Sequence, residues 1–367
     1  MTITSHGETC VLVLQGGGAL GAYQGGVYEA LASAQLCPAW VAGISIGAVN
    51  AALIAGNPPE RRVAALRTFW DRASSRVPFA APFEDGWGRK LFNEAAAATV
   101  ALTGIPGFFT PRWTMPGMAL PGSSAAISLY DTAPLRETLL ELVDFDLLND
   151  GPIRFSVGAV HVLTGNFVYF DNRDRRIGPE HVMASGALPP GFPPVMIDGE
   201  PYWDGGIVSN TPLQYVLDAG LTDPLLVFQV DLFSARGMMP RTLAEAAQRE
   251  KEIRFSSRTR LNTDVHLRIA ALEAAVARLA DKVPPDLRDD PDWRVLIERA
   301  GAGPVTILHL INRSEDYESE GKDYEFSRAT VTGHWQSGSA DVVRSLASPR
   351  WRNRQPPRHG LITLDLE

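Results

Sequence analysis

Residues 40–56, "WVAGISIGAVNAALIAG", read as a strand that ends in a tight turn and restarts as a helix. "WVAGIS" is a short apolar run, and "IGAVNAALIAG" is a small-residue helix closed by Gly56. Between them the spacing Gly43-x-Ser45-x-Gly47 puts a serine where the chain turns most sharply, a position whose neighbours must be small. Upstream, "CVLVLQ" (10–15) is a second buried strand. "GALGAYQGGVYEALASA" (18–34) then sets Leu20, Val27, Leu31 and small residues at helical spacing. Strand, helix, strand, helix predicts a parallel sheet with helices on its faces.

The whole chain, at 367 residues, is long enough for one large α/β domain or for a domain with an appended region. A hydrophobic content of 45% with 21% charged residues is that of a packed globular protein. A net charge of -8 gives no reason to expect nucleic acid as a partner. Cys10 and Cys37 form no disulfide framework and no metal-ligand spacing, and they read as buried thiols in a reducing compartment. The start "MTITSHGETC" lacks the basic and apolar regions of a signal peptide, and the apolar segment Val41 to Ala55 is too short to span a membrane. The expectation is a cytoplasmic protein that can still touch membranes from outside.

Between Phe79 and Tyr130 the periodicity dissolves. "GIPGFFTPRWTMPGMALPGSS" (104–124) is rich in Pro and Gly yet carries Phe108, Phe109, Trp113, Met115 and Met118. A loop this apolar either packs onto the body or forms a lid or acyl-chain wall. "DTAPLRETLLELV" (131–143) resumes as a helix with Leu135, Leu139 and Leu142 on one face. "IRFSVGAVHVLTGNFVYF" (153–170) predicts two strands around a Thr-Gly-Asn turn, and "PLLVFQVDLF" (224–233) a further buried strand. A soft boundary near Pro240 divides domain 1–240 from a mainly helical region, 241–367. In that region Leu267, Leu272, Val276 and Leu279 form the expected inner face, and "VTILHLI" (305–311) is a strand candidate.

Three motifs carry chemistry. Ser45 sits at the elbow next to a helix N-terminus, whose free N–H groups favour developing negative charge. "LQGGGALGAYQGG" (14–26) holds Gly16, Gly17 and Gly18 directly after a strand, where backbone amides can face a ligand oxygen. Gly16, Gly18 and Gly21 also fit a dinucleotide fingerprint, but Leu36 to Ser45 contains none of the acidic residues a ribose would need. An oxyanion hole from the Gly17 and Gly18 amides fits better.

A serine needs a base. Of seven histidines, His161 and His309 lie in apolar strand-like runs and read as core residues. His6 and His359 are near the ends, His266 and His334 lie in the polar C-terminal region, and only His181 stays as a candidate. "YWDGGIVSNTPL" (202–213) offers Asp204 instead, after two aromatics and before Gly205 and Gly206, where partial burial would raise its pKa and strengthen it as a base. The neighbouring Asp198-Gly199 reads as an ordinary hairpin turn.

Taken in order, "GGGALG" (16–21), "GISIG" (43–47) and "DGG" (204–206) resemble the patatin-like phospholipase family. "ASGALPPGFPPV" (184–195) and Asn210-x-Pro212 look like it too, so that the resemblance spans about residues 10 to 235. It implies a three-layer α/β/α fold with a central, mostly parallel sheet and a helical C-terminal extension like that of some bacterial members. It also implies a Ser45–Asp204 dyad without histidine, an oxyanion hole from Gly16, Gly17 and Gly18, and supporting roles for Gly21, Gly43, Gly47, Gly205 and Gly206. The implied substrate is a lipid acyl ester, met with peripheral membrane contact; no metal and no cofactor is called for. One departure is Leu20, where many members carry Arg or Lys, which weakens a phosphate contact at that point. A non-catalytic lipid- or partner-binding module on the same scaffold is the alternative.

Overall fold

In the computed structural model, which describes residues 7–365 other than 80, 82–85, 115, 302 and 314–320, the apolar runs assemble into one nine-stranded sheet. Its strands are β1 (Thr9–Leu14), β2 (Trp40–Gly43), β3 (Arg154–His161), β4 (Phe167–Asp171), β5 (Val195–Ile197), β6 (Glu200–Asp204), β7 (Leu225–Asp231), β8 (Val305–Ile311) and β9 (Leu361–Leu364). They lie in the order β9-β8-β7-β1-β2-β3-β6-β5, with β4 paired to β3. Neighbours from β9 to β3 run parallel, and the pairings of β4, β5 and β6 are antiparallel. Every residue of β1 and β7 is buried, as strands covered on both faces must be.

The covering helices include α1 (Ala22–Ser33), α2 (Ile46–Ala55), α3 (Pro59–Ala73), α4 (Gly86–Thr103), α5 (Ala133–Leu142), α6 (Pro179–Ser185), α7 (Leu213–Asp218), α8 (Leu243–Leu279) and α9 (Arg328–Ala347). Alternate strand residues feed two cores. Leu12, Leu14 and Phe228 join Leu31, Leu53 and Trp335 on one face, and Val11, Val13 and Val227 meet Leu213 and Val216 on the other. This is the three-layer, mostly parallel architecture that the sequence implies. The residues after Pro240 are mostly helical, and they also extend the sheet through β8 and β9.

One topological detail builds the site. β2 pairs with the first half of β3 and stops at Gly43, opposite Val157. β6 then enters along the same edge of β3 from the opposite direction and stops at Asp204, opposite Ala159. The two strands therefore meet end to end, and the residues that follow each strand are driven together.

Several expectations change. The segment 79–130 contains α4, 18 residues long, although no periodicity marks it. Its inward side consists of Arg89, Asn93, Ala96 and Val100, so helix propensity from the alanine run replaces an apolar stripe. In the second half of α8 the buried described positions are Thr263, His266, Ala270 and Ala274, while Leu272 and Leu279 face solvent. Small residues win there because α8 lies close to the turn before β9, with Gly360 set against the Ala270 carbonyl. The long apolar loop divides: Ile105, Phe108 and Phe109 are buried, whereas Trp113, Met118 and Leu120 are exposed, and Met115 lies outside the described residues. His334, expected on a solvated face, is buried, and burial pushes its imidazole down to about 4. His161, expected in the core, is only partly buried and meets Thr164 and Glu200.

Candidate active site

The elbow forms because Gly43, Gly47 and Ala48 let the chain reverse against β1. A side chain on Gly47 would stand 2.4 Å from the Leu14 carbonyl oxygen, so only glycine lets α2 start this close to the sheet. Ser45 itself takes φ 55°, ψ −123°. Such backbone costs of the order of 1–3 kcal/mol in a non-glycine residue and persists where the surroundings hold it. They do so here: the Ser45 N–H donates to Ser185 Oγ at 3.0 Å, and the hydroxyl that accepts it is fully buried at the end of α6.

Asp204 ends β6 with 2% of its surface exposed. Its Oδ1 accepts the Gly206 N–H at 2.7 Å, and the Ser45 side chain is the other polar neighbour that acts on its carboxylate. Burial raises its pKa to about 7, against the smaller lowering effects of the Gly206 N–H and the Ser45 side chain. A carboxylate in this condition is a proton acceptor matched to neutral pH.

The glycine loop lies alongside. The Gly16 amide is committed to the Asn210 carbonyl at 3.1 Å, and Asn210 Nδ2 returns a bond to the Gly16 carbonyl at 2.9 Å. Among the described residues no acceptor takes up the amides of Gly17 and Gly18. Gly18 has φ +55°, and a Cβ there would stand 2.2 Å from the Asp323 carbonyl oxygen, so a strap from the C-terminal region seats directly on the loop. Of the supporting glycines, Gly21 faces Ile46 and Trp70, and Gly205 faces the Gly158 carbonyl.

A buried polar network fixes this loop. Gln24 Nε2 donates to the Gln15 carbonyl at 2.7 Å, and the Gln15 side-chain oxygen accepts the amides of Leu232 and Phe233. Asn50 donates to the Gly21 carbonyl and to Gln24, and accepts from Trp70 Nε1. Sequence reading missed Gln15, Gln24, Asn50 and Ser185 as site supports; the available signal was Asn50 interrupting an otherwise apolar helix.

Above Ser45 and Asp204 opens a cavity of about 370 Å³ with aromatic and aliphatic walls, among them Phe108, Phe109, Tyr130 and Phe192. The C-terminal region supplies Phe255, Asp323, Tyr324 and Phe326. No histidine is among the described residues that line it. His181 lies instead in the first turn of α6, its Nδ1 accepting the Gly178 N–H at 2.9 Å and its ring against Phe170. A larger hollow of about 930 Å³ opens at the other end of the sheet, beside Leu225, Val305 and Leu361, and touches neither Ser45 nor Asp204.

Residues 12–217 match the family described as patatin-like phospholipase, and residues 253–358 match a second described as patatin phospholipase. No curated protein matches the chain. A crystal structure of VipD from Legionella pneumophila is similar over 93% of this chain and 68% of its own, at 13% identity and a TM-score of 0.37.

Proposed function

The chain belongs to the patatin-like phospholipase family, and from that premise we propose that it is a serine acyl-ester hydrolase in which Ser45 and Asp204 form a two-residue dyad. One observation carries the reading: an elbow serine lies beside a buried carboxylate whose pKa stands at about 7, and both line an apolar cavity. Asp204 takes the proton as Ser45 Oγ attacks the ester carbonyl. The Gly17 and Gly18 amides, with the N-terminus of α2, receive the oxyanion; removing one such donor typically costs ~10²–10³ in rate. Collapse of the tetrahedral intermediate returns the proton from Asp204 to the leaving alcohol. Water, deprotonated by Asp204, then releases the acid and restores Ser45.

Substrates are lipid acyl esters whose chains lie along Phe108, Phe109 and Phe192. Leu129 links this wall to solvent, being half-exposed while lining the cavity, and its carbonyl accepts the Arg112 N–H just before exposed Trp113. That face is the side from which we expect lipid to approach. The test is labelling with a fluorophosphonate probe, with and without neutral vesicles, and mapping of the adduct by peptide mass spectrometry. A Ser45 adduct that disappears in Asp204→Asn is the expected result. Absence of the adduct under both conditions would overturn the enzyme reading and favour a binding module.

A further inference from the structure

Resting on the acyl-hydrolase reading, we propose that the substrate is an uncharged acyl ester, a neutral glyceride or simple alkyl ester, and that glycerophospholipids are discriminated against by the cavity's own charge. The charged side chains among its described lining residues are Asp204 and Asp323, with no Lys, Arg or His. Among the described residues, two cations beside its C-terminal wall are already engaged. Lys251 Nζ lies 2.6 Å from both carboxylate oxygens of Asp323, and Lys322 Nζ lies 2.7 Å from Glu252 Oε1 with only 4% of its side chain exposed. The glycine loop adds no cation either, since Leu20 is fully buried in the core.

A phosphodiester carries a full negative charge only a few bonds from the ester that Ser45 would attack. Placed here it would be desolvated against apolar walls with no cation among the described lining residues to receive it. It would also act on the base: an anion beside Asp204 disfavours the charged carboxylate and holds the proton on it, so Ser45 would lose its acceptor. The amides of Gly17 and Gly18 cannot serve both the oxyanion and a phosphate. An ester of an uncharged alcohol meets none of these obstacles, and Tyr130, Tyr324 and Asn210 line the same cavity as neutral polar groups for its hydroxyls.

The experiment compares dioleoylglycerol with dioleoyl phosphatidylglycerol, both as trace components of one neutral detergent micelle. The chains are then identical and the surface charge is constant. The expected kcat/KM ratio favours the diacylglycerol by at least about tenfold. In Asp323→Asn, which leaves Lys251 without its carboxylate, that ratio should fall at least about threefold. Because each ratio is taken within one protein preparation, a partly unfolded variant does not distort it. Equal turnover of the two lipids, or preference for phosphatidylglycerol, by a protein whose Ser45 takes the fluorophosphonate would overturn this inference alone. A ratio unmoved by Asp323→Asn would overturn its electrostatic cause. No turnover of either lipid together with an unlabelled Ser45 would instead sink the hydrolase reading.

Discussion

Two Asp-Gly pairs lie six residues apart and share little else. Asp198 and Gly199 adopt φ values of 52° and 85° and close the hairpin between β5 and β6, as an Asp-Gly turn of the mirror-image type does. The Asp198 side chain is 75% exposed and accepts from Arg175 at 2.9 Å. Asp204, before Gly205, keeps φ −52° and is buried at the junction of two strands, with the Gly206 N–H as its donor and Ser45 beside it. The dipeptide is common to both. What separates them is where β6 delivers the second one: into the edge of β3 vacated by β2.

The widest separation between the two positions should come from replacing each with asparagine. Asp204→Asn should lower kcat for a soluble ester by about 10²–10⁴-fold, since a general base contributes that much, while the amide oxygen keeps the Gly206 bond. Its effect on stability has the opposite sign. Burial raises the Asp204 pKa from 3.8 to about 7, so the folded state holds the proton more tightly than the unfolded one, and stability is lost as pH rises between those values. Calorimetry at pH 5 and pH 8 should therefore show the variant gaining on the wild type at the higher pH; a Tm penalty that grows with pH would contradict the burial argument.

A smaller effect is the pH profile of the wild type. The kcat/KM for a neutral ester should climb as pH passes through about 7, where Asp204 sheds its proton. An acid limb near pH 4 would mean that the carboxylate is solvated when substrate binds. Smallest of all is Asp198→Asn. An exposed ion pair contributes about 0–1 kcal/mol, so rate should hold within about twofold and Tm should barely move. A large loss of activity there would erase the distinction between the two turns.

The legible parts of this molecule are those fixed by neighbours in sequence. The elbow could be read because Gly43, Ser45 and Gly47 act within one turn, and the β1 and β7 runs because strands buried on both faces are continuously apolar. Asp204 stood out from Asp198 by its aromatic and glycine context and by the resemblance of three motifs taken in order. What stayed hidden depends on distant partners. Phe255, Tyr324 and Phe326 line a cavity whose Ser45 lies about two to three hundred residues earlier. Ser185 supports Ser45 across 140 residues. In α8, Ala270 and Ala274 face inward because another backbone sits close to them, and side-chain hydrophobicity carries no record of that distance.

The position of β7 in the sheet bears on how this protein can be cut and inherited. The segment that matches the family, residues 12–217, contains both Ser45 and Asp204, yet it stops short of Leu225. A chain ended there would leave β1 as an open edge, "TCVLVL" with its whole row of N–H and C=O groups unpaired on one side. An apolar exposed edge of that kind recruits other chains. The piece that carries Ser45 and Asp204 is thus smaller than the piece that covers both edges of β1, and the C-terminal strands belong to the sheet even where they touch no substrate.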